Sequence, residues 1–164
     1  MKKPLIFIVL AAVSATANST NSISIEKYLP IKTIAPEKID ATITTPSFIQ
    51  YIQPGKRTPS CSIILQDKKY KVIFFEQDDT DDYSNCNKIY PPTITKIKGQ
   101  FYAAYKYSEE ETRGSLVDNY VVMSLTKNNF HICQNQEKII TSMKKTKKQT
   151  ATSLSYIIEH SGCL

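Results

Sequence analysis

The chain has 164 residues and a formal net charge of +6, from 21 Lys and Arg against 15 Asp and Glu. This length fits one domain better than two, and it can bury a core without a structural metal. The basic excess is almost all lysine, with Arg only at 57 and 113. A nucleic-acid binder would interleave Arg with exposed aromatic residues, so that class is disfavoured. Ten Tyr, six Phe and few Gly favour pleated strands.

The first 17 residues have the pattern of a cleaved export signal. Two lysines precede an apolar run over residues 5–13, and Ala15 and Ala17 place small side chains where a signal peptidase reads. The apolar run is about half the length that a membrane-spanning helix needs. The sequence therefore predicts a signal peptide over 1–17, cleaved after Ala17, and a single mature domain over 18–164. That domain is expected in the periplasm or outside the cell, without integral membrane association.

Cleavage removes two lysines and lowers the formal charge of +6 by two, to +4. All four cysteines remain in the mature domain: Cys61, Cys86, Cys133 and Cys163. An even number in an exported chain predicts two disulfides. Three pairings are open, and Cys61–Cys86 with Cys133–Cys163 is favoured because each bridge closes one contiguous segment. Zinc is disfavoured because no C-x-x-C pair or His stands at ligand spacing. No metal or cofactor is predicted.

Residues 18–59 are predicted to be a loosely ordered leader. Prolines at 36, 46, 54 and 59 break this segment into short pieces, with β-like fragments at 41–45 and 48–52. Residues 61–65 and 70–76 then form a predicted hairpin. Apolar side chains alternate onto both faces of 70–76, which predicts a central strand.

A second group of strands is predicted over residues 93–133. The pairs 93–97 with 101–107, and 120–125 with 130–133, predict an antiparallel meander in which Ser108–Asn119 is a long polar hairpin loop. Ile139, Ile140 and Met143 at i, i+1 and i+4 predict a short amphipathic helix within 137–148. Alternating apolar residues slightly favour a closing strand over a helix at 152–159. The expected fold is mainly β: a small antiparallel meander domain with one short C-terminal helix and two disulfides.

The residues that carry chemistry predict no active site. His131 lies in a predicted strand and is expected to be structural, while His160 is expected at the surface near the C-terminus. The chain has no G-x-S-x-G, H-E-x-x-H or P-loop motif. Asp78, Thr80 and Asp82 have the spacing of the first calcium ligands, but Tyr83 and Ile89 stand where that motif requires Gly and Glu. Catalytic and metal residues are therefore predicted to be absent.

Two acidic segments are candidate protein-binding surfaces. The first, Gln77–Asp82, is either a solvated loop or a docking loop for a basic partner; it contains Asp78, Asp79, Asp81 and Asp82. The second, Ser108–Asn119, has charged side chains beside aromatic residues that either anchor a recognition patch or simply cover the sheet. Its candidate binding residues are Glu109, Glu110, Glu111, Arg113, Tyr105 and Tyr107, with Tyr102 and Tyr120 nearby. The Lys144–Lys148 cluster is expected to be a solvated helix face rather than a contact for anionic lipid or polymer.

These patterns predict an exported protein-binding module without enzymatic activity. The profile fits an immunity or inhibitor protein that blocks an antibacterial effector or hydrolase, with a basic protein as partner. A small secreted hydrolase of unfamiliar type, and an envelope accessory or ligand-binding protein, are the alternatives.

Overall fold

The structure, a computed structural model, describes residues 29–65, 71–74, 86–127 and 129–163. The predicted signal peptide, the first part of the predicted leader and the acidic segment with Asp78, Asp79, Asp81 and Asp82 lie outside these ranges. Within them, the chain forms nine strands and two helices.

The strands form two antiparallel sheets. In the first sheet, four strands pair in chain order: β1 (Leu29–Ile34), β2 (Ser47–Ile52), β3 (Ser60–Leu65) and β4 (Lys71–Phe74). The second sheet contains β5 (Lys88–Ile89), β6 (Thr93–Ile97), β7 (Gln100–Thr112), β8 (Ser115–Thr126) and β9 (Asn129–Ile132). Strands β5 and β6 both pair with β7, which pairs with β8, which in turn pairs with β9. The helices are α1 (Gln136–Lys145) and α2 (Ala151–Ser161). The predicted fold class and the meander over 93–133 are confirmed.

The second sheet is the middle of three layers, and the alternation of side chains along β7 and β8 explains why. Tyr105 and Met123 point to one face, where they pack with Phe48 of the first sheet. Tyr102 and Val122 point to the other face, where they pack against both helices. Because successive strand residues face opposite sides, one pair of apolar strands supplies two separate cores.

Each disulfide joins two of these layers. Cys61 in β3 is bonded to Cys86, which precedes β5, so this bridge links the two sheets. Cys133 after β9 is bonded to Cys163 after α2, so this bridge holds the helices to the second sheet. The predicted pairings are confirmed, and two formed disulfides are consistent with an oxidising compartment. The buried Gln50 side chain adds hydrogen bonds of 2.8 and 2.7 Å to the carbonyl oxygens of Cys86 and Asn87.

The predicted loosely ordered leader contains two paired strands. Strand β2 overlaps the β-like fragment predicted at 48–52, whereas β1 had no prediction. The four prolines at 36, 46, 54 and 59 all lie in connections, so they end strands without preventing them. The fragment predicted at 41–45 is a turn in which the Asp40 carboxylate accepts the Thr42 and Ile43 backbone N–H groups at 2.7 and 2.8 Å. These hydrogen bonds hold the Asp40 pKa below its ordinary value.

The position predicted for the strand at 70–76 is wrong. In the described part of the chain, β4 pairs with β3 alone and forms the edge of the first sheet. Of the two strands in this hairpin, β3 is the interior one, and its first five residues are all buried. Sheet order depends on which strands pair across the chain, and the local alternation of apolar residues does not specify it.

The predicted loop at Ser108–Asn119 is also wrong, because both strands continue through it. Thr112 pairs with Ser115 across a two-residue turn, Arg113-Gly114, after an irregularity between Glu110 and Thr112. Gly114 has φ +82°, which suits glycine in such a turn. The polar sequence predicted a loop because a strand pair that is exposed on both faces has no hydrophobic alternation.

The tail forms two helices rather than a helix and a strand. Helix α1 confirms the amphipathic helix predicted within 137–148, and its Ile139 and Met143 are buried. Helix α2 replaces the predicted strand at 152–159, because Leu154, Ile157 and Ile158 at i, i+3 and i+4 line one helical face. Thr150 and Ser153 form a reciprocal capping box at its start. Neither helix of the described chain is long and apolar enough to cross a membrane.

Candidate functional site

The outer half of the β7–β8 hairpin is a two-stranded ribbon, defined here as residues 109–118. Strand β5 pairs with β7 only up to Ser108, and β9 pairs with β8 only from Met123. Among the described strands, the two halves of the ribbon therefore pair with each other alone. We call residues 109–116 the ribbon tip, and 111–116 of it are exposed. The ribbon thus continues past the core and presents both faces to solvent.

Hydrogen bonds across the ribbon hold its carboxylates in place. The Asn119 side-chain amide donates to Glu109 Oε1 at 3.0 Å, and the Gly114 backbone N–H donates to Glu110 Oε1 at 2.7 Å. At the base, Ser108 Oγ donates to Asp118 Oδ1 at 2.9 Å. Side chains that are already ordered lose less entropy when a partner binds.

The tip of the ribbon combines negative charge with one exposed apolar side chain. Four of the predicted binding residues lie here, in the last residues of β7 and in the hairpin turn: Glu109, Glu110, Glu111 and Arg113. Leu116, on the facing strand, is 51% exposed and pairs with Glu110. An apolar contact beside several carboxylates is a suitable composition for a protein-recognition surface.

The base of the ribbon is fixed by an ion pair and an aromatic ring. Lys106 Nζ lies 2.6 Å from Asp118 Oδ2. Two ammonium groups lie near the half-buried ring of Tyr90, with Lys88 Nζ at 5.0 Å and Lys106 Nζ at 4.8 Å from its centroid. Burial disfavours the charge on Lys106, but the hydrogen bond to Asp118 and the electrostatic attraction of Tyr120, Asp118 and Tyr90 together outweigh burial and raise the Lys106 pKa above its ordinary value.

Tyr105 and Tyr107 do not present their rings at the surface, contrary to their predicted role as recognition anchors. Tyr105 is fully buried, donates its hydroxyl to the Pro46 carbonyl oxygen at 2.9 Å and packs edge-on against Phe48 with centroids 5.3 Å apart. Tyr107 is 6% exposed. Burial raises the pKa of both phenols above the ordinary value. Tyr102 and Tyr120 are also buried, so all four tyrosines support the sheet from within.

A cleft of about 560 Å³ lies beside the ribbon, and we call it the lysine cleft. One wall is formed by Lys106, residues 116–118 and Tyr120 on β7 and β8, and the other by Lys144 and residues 146–149 in α1 and the α1–α2 connection. Lys144, Lys147 and Lys148 are exposed, and no described carboxylate lies within ion-pair distance of them. The sequence indicated the lysine cluster but gave no signal for the opposite wall, which lies about 30 residues earlier in the chain.

The two histidines lie at the surface. His131 on β9 is exposed, contrary to the structural role expected for it, and borders a shallow cleft of about 250 Å³ beside Cys133 and Cys163. His160 is exposed as predicted, and its ring stacks on Tyr156 at 4.0 Å between centroids. In the described ranges, no group of three or more His, Cys, Asp or Glu side chains is arranged to hold a metal ion.

The candidate site within the described residues therefore consists of the ribbon and the adjacent lysine cleft. No protein-family model, curated protein or solved structure matches this chain.

Proposed function

We propose that the protein is an exported, non-enzymatic binding module that presents the β7–β8 ribbon to a protein partner. The proposed role is that of an immunity or inhibitor protein, which blocks an antibacterial effector or a hydrolase. The observation that carries this proposal is the ribbon itself: a strand pair that extends past the core, is held by its own hydrogen bonds and carries three glutamates at its tip.

The export signal read from residues 1–17 and the two disulfides support a site of action outside the cytoplasm. A periplasmic location suits an immunity protein, since its effector arrives in that compartment.

The chemistry of the ribbon favours a partner with a basic cleft. Clustered carboxylates steer a basic protein during the diffusional encounter and speed association. Leu116 can then enter an apolar pocket, and a single desolvated anchor of this kind can dominate the affinity. A narrow, two-stranded projection fits the concave active site of a hydrolase better than a flat surface.

The test compares three forms of the oxidised, processed chain as affinity baits and then in binding kinetics. E109Q/E110Q/E111Q removes the charge of the ribbon tip, and E37Q/E137Q/E159Q removes the same charge from exposed sites elsewhere. We expect the tip variant to associate with the captured basic protein about tenfold more slowly, with a shallower salt dependence. The control variant should associate at the wild-type rate.

The captured protein is then assayed for its own activity with increasing amounts of the chain. Stoichiometric inhibition is expected, because an inhibitor that inserts the ribbon covers the active site. If a partner bound all three forms at the same rate, the ribbon would be excluded as its binding surface. A partner that remains fully active when saturated would exclude the inhibitor role.

A further inference from the structure

We propose that the lysine cleft binds a phosphate-bearing ligand. The cleft shares Leu116 with the ribbon tip but contains none of the tip's glutamates, and the proposal does not depend on the identity of the protein partner.

Positive charge dominates the lining of the lysine cleft. Lys144, Lys147 and Lys148 line one wall, and Lys106 lies on the other. The single carboxylate in the lining, Asp118, is already engaged by Lys106 at 2.6 Å and by Ser108 at 2.9 Å. The remaining three ammonium groups have no described counter-ion. Charges of one sign between low-dielectric walls concentrate the field and attract an oppositely charged ligand.

The cleft also has a shape that can enclose a ligand. Lysines on an isolated helix face are solvated and bind anions weakly. Here a strand wall lies opposite the lysines, and the two walls enclose a cleft of about 560 Å³. This volume falls in the range of small-molecule sites. Tyr120, which is buried, forms part of the strand wall, so this wall rests on a packed side chain.

The basic side chains of the cleft are all lysines, which favours phosphate among the anions. The cleft contains no arginine, so an anion is held by ammonium point charges and not by the planar bidentate fork that suits carboxylate and phosphate alike. Several ammonium groups at different positions suit a tetrahedral phosphate, whose charge is spread over oxygens that point in different directions, in a monoester or a diester. Leu116 and Val117 at the ribbon side offer apolar contact to the carbon part of the ligand. The expected ligand is therefore a phosphate group on an organic carrier, either a free phosphorylated molecule or a lipid headgroup.

The test uses the full oxidised chain and two probes. Inorganic tripolyphosphate represents the free ligand, and vesicles of phosphatidylglycerol, compared with phosphatidylcholine, represent the headgroup. Binding is followed by amide chemical shifts, which should change at 116–120 and 144–149. K144Q/K147Q/K148Q should weaken binding at least about tenfold, whereas K38Q/K98Q/K127Q, which removes equal charge from exposed positions outside the cleft, should leave it within about twofold.

The outcomes distinguish a free phosphorylated ligand, a lipid headgroup and the absence of a phosphate site. Tripolyphosphate binding without vesicle binding assigns a free ligand, and selective binding to phosphatidylglycerol vesicles assigns a headgroup. Equal weakening by both triple variants would mean non-specific attraction to a basic protein and would overturn the proposal. The absence of binding by either probe at physiological ionic strength would also overturn it.

A third variant, D118N, gives a readout that a solvated lysine cluster would not produce. Removing the carboxylate frees Lys106 and increases the net positive charge of the cleft, so tripolyphosphate should bind about threefold more tightly. A folded D118N protein that binds no more tightly than wild type would place the phosphate outside the cleft. Because all three glutamates of the ribbon tip are intact in these variants, failure here leaves the proposed protein-binding role unaffected.

Discussion

The inner and outer halves of the β7–β8 hairpin have the same backbone pairing but opposite surroundings. The inner half, residues 101–107 with 120–126, is flanked by other strands and buries side chains in two cores. The outer half, the ribbon at 109–118, keeps this register as far as Glu110, shifts before Thr112, and has half-buried or exposed side chains. Backbone pairing alone therefore does not define what a strand contributes. The inner half stabilises the fold, and the outer half is free to carry residues chosen for binding.

The largest expected difference between the two halves comes from the same substitution at two positions of β8. Leu125 is 1% exposed in the inner half, and Leu116 is 51% exposed in the ribbon. L125A should lower the free energy of unfolding by about 4 kcal/mol, because it leaves a cavity in a packed core. L116A should change it by less than about 0.5 kcal/mol. Urea unfolding of both variants measures this, and equal losses would contradict the comparison.

The next largest effect is expected from the bridge that holds the helices to the inner half. C133S/C163S opens a loop with a sequence separation of 30 residues, which should cost about 3 to 4 kcal/mol of unfolding free energy. The ribbon has no covalent link to this bridge, so amide exchange at Gly114 should be unchanged under native conditions. A shift of the urea midpoint without faster exchange at the tip is the expected pattern. Loss of both together would show that the ribbon depends on the helical layer.

Alkaline pH should act on the inner half through its buried tyrosines. The unfolded chain ionises these phenols near their ordinary value of 10.0, whereas burial raises the pKa of Tyr105 and Tyr107 in the folded protein. Above pH 10 the folded state therefore holds more protons than the unfolded state. The contribution of the two buried phenols to the free energy of unfolding is complete below pH 10 and is lost as the pH rises. At pH 11, one unit above the unfolded-state pKa, each tyrosine should have lost about 1.4 kcal/mol of this contribution. Y105F and Y107F should each flatten the alkaline limb of stability against pH, and an unchanged slope would refute the assignment.

The smallest of these losses is expected next to the ribbon, at Asn119. N119A removes the 3.0 Å hydrogen bond to Glu109 and the 3.0 Å hydrogen bond that Asn119 Oδ1 accepts from the Tyr120 backbone N–H, at an incompletely buried site, which should cost about 0.5 to 1 kcal/mol of unfolding free energy. The same change should loosen the Glu109 carboxylate and slow partner association slightly. Thermal unfolding and binding kinetics together check this prediction. A loss above about 2 kcal/mol would mean that the ribbon belongs to the cooperative core.

The sequence predicted well those features that rest on local pattern. Runs rich in β-branched and aromatic residues predicted the strands that became β3 and β6, and alternation described the two faces of the inner half of β7. The two-residue turn after β6 carries Lys98 and Gly99, both at positive φ, and lies within the connection predicted at 98–100. Cysteine spacing favoured, among three open pairings, the one that the structure contains. Helix α2 was missed because Leu154, Tyr156 and Ile158 also alternate, and only the burial of Ile157 with 63% exposure of Tyr156 separates the two periods.

The candidate site was only half predicted. Glu109, Glu110, Glu111 and Arg113 were identified from their charge, but the strand pair that displays them was expected to be a loop. The lysine cleft was beyond local reasoning, since its walls come from β7 and β8 on one side and from α1 and the connection to α2 on the other.

Local sequence pattern was enough to predict the class of the fold and the polarity of the hairpin, and it favoured the cysteine pairing that the structure contains. These features depend on periodicity, composition and short loops, which act over a few residues or one closed segment. The interior position of β3 in its sheet, the burial of the four tyrosines and the cleft between three lysines and β8 became visible only in the folded chain. Burial and facing walls are set by which distant surfaces pack together, and that choice is made by the whole chain.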